Sequence, residues 1–133
     1  MNSSLRLPLA AFTLALVLAA CSSTVPRPPA WVQDTLYFGM SSPLGKVSPE
    51  QWQDFVDKEV SPRFPDGLTH WAAQGQWREG EGPVQKEGSR VLQIMHMASP
   101  EADEKIRELK QAYVERFKQS SVLRVKQGVE VEF

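Results

Sequence analysis

Apolar and polar positions alternate from Asp34 to Met40, with Leu36, Phe38 and Met40 on one side of an extended chain and Tyr37 and Gly39 on the other. This predicts a mostly buried strand. Ser41-Ser42-Pro43-Leu44-Gly45 reads as a loop, and Ser48-Pro49-Glu50-Gln51 as a helix start, with Ser48 as N-cap, proline at the first helical position and glutamine three residues after the cap. Trp52, Phe55, Val56 and Val60 follow at helical spacing and form one apolar stripe, which Pro62 closes. Between Gly67 and Arg78 the spacing returns to two, with Leu68, His70 and Ala72 against Thr69, Trp71 and Ala73, so this segment is a strand. Glu79-Gly80-Glu81-Gly82-Pro83 turns the chain, and Val84 to Met97 forms the second arm of the hairpin. Gly75 and Gly88, inside these arms, are read as bulge positions. Ser99-Pro100-Glu101 opens a second helix with Ala102, Ile106, Leu109, Tyr113 and Phe117 inward. Glu101 with Lys105 and Asp103 with Arg107 are spaced to pair on its outer side. Val122 to Val125, then Val129, Val131 and Phe133, supply the last extended segments, with room for a short extra strand at the end.

The resulting order, β-α-β-β-α-β, is an α+β chain on the ferredoxin-like plan, with two helices covering one face of a four-stranded antiparallel sheet. Neither face is cleanly polar, because the third strand places Val91, Met95 and Met97 opposite Leu92 and Ile94. The second face is expected to be covered by a homodimeric partner sheet or to curve around a ligand.

The segment before the domain changes the picture of where the protein works. Arg6 precedes the apolar run Leu7–Ala20, broken only by Pro8 and Thr13, and the run ends in Leu18-Ala19-Ala20-Cys21. This is the layout of a bacterial lipoprotein signal. Its fourteen residues are fewer than the ~20 of a spanning helix. The expected product begins at Cys21, whose thiol takes a diacylglyceryl group, and acyl chains at ~0.8 kcal/mol per buried methylene hold it on a bilayer. Ser22 in place of an aspartate points to the outer membrane, facing the periplasm. The expected organisation is residues 1–20 as signal peptide, 21–33 as lipidated cysteine and Pro/Ser-rich tether, and 34–133 as the folded domain.

Cys21 is the only cysteine, so no disulfide framework is available to the domain. Removal of Arg6 with the signal moves the formal net charge from −1 to −2, which argues against a nucleic-acid partner.

Leu36-Tyr37-Phe38-Gly39-Met40, Val47-Ser48, Pro62-Arg63-Phe64-Pro65-Asp66-Gly67-Leu68-Thr69, Gly75-Gln76-Trp77-Arg78 and Glu87 with Ser89 resemble a bacterial family of secreted or lipoprotein domains of unknown function. The resemblance runs from about residue 34 to 126 and rests on the Pro-Arg-Phe-Pro and Gly-Gln-Trp segments. It implies the fold and an envelope location and carries no catalytic assignment. His70-Trp71 departs from the small or β-branched pair expected there.

The densest polar cluster is Arg63, Thr69, His70, Gln76, Arg78, Glu87 and Ser89. One reading has Arg63 and Arg78 gripping an anionic group while Glu87, ion-paired across the hairpin with Arg78, orients one of them. The plainer reading makes these structural salt bridges, each contributing ~0–1 kcal/mol when exposed. His70 and His96 are two imidazoles without a third spaced ligand, short of a zinc site, and no cofactor motif occurs. Ser89 has no histidine placed by sequence as its base. Two classes of function follow. The favoured one is a lipid-tethered binding or interaction module that holds an envelope partner or small anionic ligand. The alternative is a small dimeric α+β-barrel-type enzyme, which requires Arg78, Glu87 and His70 to share a pocket.

Overall fold

The computed structural model describes residues 30–78 and 80–133; the apolar leader and Cys21 lie outside them. Four long strands, β1 (Trp31–Gly39), β4 (Thr69–Trp77), β5 (Gln85–Met97) and β6 (Leu123–Val129), form one sheet in the order β4-β5-β1-β6. Every pair is antiparallel, and helices α1 (Pro49–Phe55) and α2 (Pro100–Phe117) fill the two crossovers. This is the ferredoxin-like α+β arrangement that the element order implies. The loop expected after β1 folds back as a small hairpin, β2 (Ser41–Ser42) and β3 (Gly45–Lys46), around Pro43-Leu44. Among the described residues the sheet, both helices and their core all lie between Trp31 and Val129.

Both helix starts form as their sequences dictate. The Ser48 hydroxyl accepts the Gln51 backbone N–H at 3.2 Å, and the Gln51 side chain accepts the Ser48 N–H at 2.9 Å. The Ser99 hydroxyl accepts the Ala102 N–H at 3.0 Å. Beyond Phe55 the first helix widens into a π-helical turn, Val56–Val60, closed by the Ser61 N–H on the Val56 carbonyl at 2.9 Å, and it stops before Pro62. The core is aromatic at its centre. Phe38 is fully buried, with ring centroids 5.1 Å from Trp52, 4.7 Å from Tyr113 and 6.0 Å from Phe55.

Three local expectations are corrected. Gly75 and Gly88 are not bulges: β4 and β5 stay in unbroken register, with Gly75 opposite Glu87 and Gln74 opposite Gly88. Val129 ends the last strand, and no further strand forms over 130–133. Asp103 does not pair with Arg107, which turns to Glu104; α2 lies over β6, and Asp103 receives Arg124 and Lys126, each at 2.6 Å.

The first strand begins at Trp31, and Asp34 sits inside it rather than at its start. In a two-residue repeat Asp34 shares the helix-covered face with Val32, Leu36 and Phe38, and its side chain is fully buried. Arg124 holds both of its oxygens, Nε at 2.6 Å and Nη2 at 2.7 Å, and His96 Nε2 lies 2.9 Å away. Arg124 also reaches Asp103, so one guanidinium ties β1, β6 and α2 together.

The Lys126 ammonium, with the Arg124 guanidinium, holds the Asp103 carboxyl below the usual carboxylate range. A carboxyl lowered on folding stabilises the protein above its unfolded value, and that contribution is lost as pH falls through the lowered folded one. The gap in thermal midpoint between the native protein and Asp103→Asn is therefore expected to be constant above about pH 5 and to close in more acid buffer. A gap unchanged down to about pH 2 would show that Asp103 contributes nothing through its charge.

Candidate functional site

Strand alternation gives the sheet two unlike faces. The helices cover one; on the other no element lies among the described residues, and every residue that the four strands place on it is uncharged except Glu87. Tyr37, Trp71, Trp77, Met95, Leu123 and Val125 are among its exposed side chains. A solvated sheet face is expected to be polar, and this one mixes large apolar side chains with uncharged polar ones such as Gln33, Gln93 and Gln127.

At the end of that face where β1 finishes, a concavity of about 860 Å³ opens. Its floor exists because two strands carry glycine there: Gly39 stands opposite Ser89, and Gly75 opposite Glu87. The Glu87 side chain uses the space above Gly39. A Cβ at Gly39 would lie 3.2 and 3.3 Å from its two carboxylate oxygens and 3.1 Å from Gln119 Oε1, closer than ordinary packing allows. Tyr37, Trp77 and Leu123 wall the cleft. Its rim is formed by Ser41–Pro43 and by residues 119–121, joined where the Gln119 amide donates to the Ser41 carbonyl at 3.0 Å.

Glu87 accepts the Trp77 indole N–H at 3.1 Å, which fixes both the carboxylate and the aromatic wall. Beneath the floor the Tyr113 hydroxyl donates to the Gly39 carbonyl at 2.8 Å. Burial pushes the Tyr113 phenol up, and the Glu87 charge adds to the shift, so the phenol stays a donor.

Of the sequence-selected residues, Gln76, Arg78, Glu87 and Ser89 come together at this cleft, and Arg63 and His70 do not. Arg63 belongs to the helical layer, with Nη1 2.7 Å from Glu59 and Nε 3.7 Å from Glu108. It forms no clamp with Arg78. His70 lies on the helix-covered face, where its Nδ1 accepts the Trp52 indole N–H at 3.3 Å. The expected Arg78–Glu87 ion pair is replaced by the Trp77 contact, because the register sets Glu87 against Gly75 and Arg78 falls just past the strand end. With His70 and Glu87 on opposite faces, the pocket required by the enzyme reading does not form. Trp77 of the Gly-Gln-Trp segment stands in the wall, and Tyr37, Gly39 and Gln119 complete the site without having been selected. Only the outward alternation of Tyr37 and Gly39 signalled them. No group of three His, Cys, Asp or Glu side chains gathers as a metal site among the described residues.

A family described as "Protein of unknown function (DUF3574)" matches residues 33–133. No curated protein matches the chain. Among solved structures it is similar to a phage SAM lyase in complex with S-methyl-5'-thioadenosine, at 18% identity and a TM-score of 0.62 over 80% of this chain and 88% of the other. A phage SAM lyase in the apo state aligns at 19% identity and a TM-score of 0.57, over 74% and 82% of the two chains. CutA from Synechococcus elongatus PCC7942 aligns at 12% identity and a TM-score of 0.50, over 77% and 80%. At these identities the likeness is one of fold.

Proposed function

The chain belongs to the DUF3574 family of proteins of unknown function, and from that premise we propose that it is a lipid-anchored module of the bacterial envelope that pairs with a second copy through its open sheet face. The observation that carries the pairing is the face that no described element covers, where large apolar side chains are exposed among uncharged polar ones and a single charge. Four strands ~4.8 Å apart and about eight residues long give it roughly 500 Å² in projection. The relief of its side chains brings this toward the ~800 Å² per partner of a stable complex. A two-fold axis through the middle of the face makes the contact self-complementary. Glu87 sits toward one end of the face, so such an axis keeps the two carboxylates apart.

The anchor is supported by the short apolar run before Leu18-Ala19-Ala20-Cys21 and by the polar, Pro-rich stretch that separates Cys21 from β1. No helix among the described residues is long and apolar enough to cross a membrane. Acylation of Cys21, in the outer membrane facing the periplasm, gives the domain its attachment.

Native mass spectrometry of the protein extracted in detergent from bacterial membranes tests both parts at once. The expected species is a dimer of chains beginning at Cys21, each carrying acyl mass, that becomes monomeric in Trp71→Asp. Chains without acyl mass sink the anchor; monomers of the unaltered protein sink the pairing.

A further inference from the structure

We propose that the cleft above Gly39 and Gly75 is a binding site for a small organic cation, an ammonium group carried on an apolar body. The inference uses one chain's cleft and stands whether or not two copies pair. Its basis is the state of Glu87. The carboxylate is half-buried at the floor, the one charge on an otherwise uncharged sheet face, and its protein partner is the neutral indole of Trp77 rather than a cation. A carboxylate whose side-chain partner is neutral keeps its charge and its remaining lone pairs for a bound cation.

The surroundings fit the same ligand. Tyr37 and Trp77 stand beside the carboxylate with roughly half of each side chain exposed, and aromatic faces attract ammonium groups electrostatically. The cleft, about 860 Å³, is within the ~300–1,000 Å³ of small-molecule sites. Its shape is held by contacts that do not use the free side of Glu87, namely Gln119 on Ser41 and Tyr113 on Gly39. Arg78 and Lys86 flank the opening without pairing with Glu87, which leaves the carboxylate as the cleft's anionic group.

Calorimetric titration of the folded chain, residues 22–133, with three probes of one ring and three charges tests this. 2-Phenylethylamine, cationic at neutral pH, is expected to bind about tenfold more tightly than 2-phenylethanol or phenylacetate. Glu87→Gln, which still accepts the Trp77 indole, is expected to bring the amine down to the level of the alcohol. Gly75→Leu, pointing its side chain into the cleft, is expected to abolish binding of all three while leaving Glu87 in place. Equal binding of amine and alcohol, preference for phenylacetate, an amine preference kept in Glu87→Gln, or binding that survives Gly75→Leu would each overturn the site.

Discussion

Arg124→Met is expected to remove about 3–5 kcal/mol from the unfolding free energy, read as a lower urea midpoint at unchanged slope. The reason lies in Asp34 rather than in the arginine. Asp34 is fully buried, and Arg124 occupies both of its oxygens at 2.6 and 2.7 Å. Methionine keeps much of the arginine stem's packing but leaves the carboxylate with His96 alone, at 2.9 Å. An uncompensated carboxylate in an apolar layer is the costly product, and the attraction lost is the smaller part. The double variant Asp34→Val with Arg124→Met is therefore expected to recover most of the loss, because it removes the stranded charge and extends the apolar row of Val32, Leu36 and Phe38. A loss below about 1 kcal/mol in the single variant would mean that water reaches Asp34 once the arginine is gone.

The same network shows which parts of the structure the amino-acid sequence discloses. Helix starts are local: Ser48 finds Gln51 three residues on, and Ser99 finds Ala102, so the signals for α1 and α2 lie within one turn. The inner stripe of α2, Ala102, Ile106, Leu109, Tyr113 and Phe117, is buried as its spacing predicts. Long-range partners are not local. Asp34 and Arg124 stand ninety residues apart and meet only because β1 and β6 are neighbours. Spacing along α2 offers Arg107 to Asp103, but the strand beneath the helix supplies better-placed cations.

Register limits the site in the same way. Glu87 and Gly75 are both conspicuous in the sequence, yet that they face each other follows from the turn between the arms. A shift of one residue would send Glu87 to the helix-covered side and close the cleft. Alternation does disclose that Trp71, Met95 and Met97 leave the core, and so that the second face is not cleanly polar. It carries no information on the loop of residues 119–121, which folds over the end of β1 to make the rim.

Phe38→Ala and Trp71→Ala together are expected to show which face is covered by this chain and which by another. Phe38 is fully buried against Trp52, Phe55 and Tyr113, so truncation leaves a cavity inside a single chain and is expected to cost about 3–5 kcal/mol. That loss belongs to the monomer and should be the same at every protein concentration. Trp71 sits on the open face, 43% exposed, so in an isolated chain its truncation removes only the part of the side chain that the sheet itself covers, a loss that is also independent of concentration. If two copies pair through this face, each Trp71 is buried by its partner, and the pairing free energy adds to stability by mass action. Trp71→Ala is then expected to lower the thermal midpoint more in concentrated than in dilute solution, while the Phe38→Ala shift stays constant. A Trp71→Ala shift independent of concentration would leave the face solvated in the working protein, and the uncharged surface around Glu87 would then serve the cleft alone.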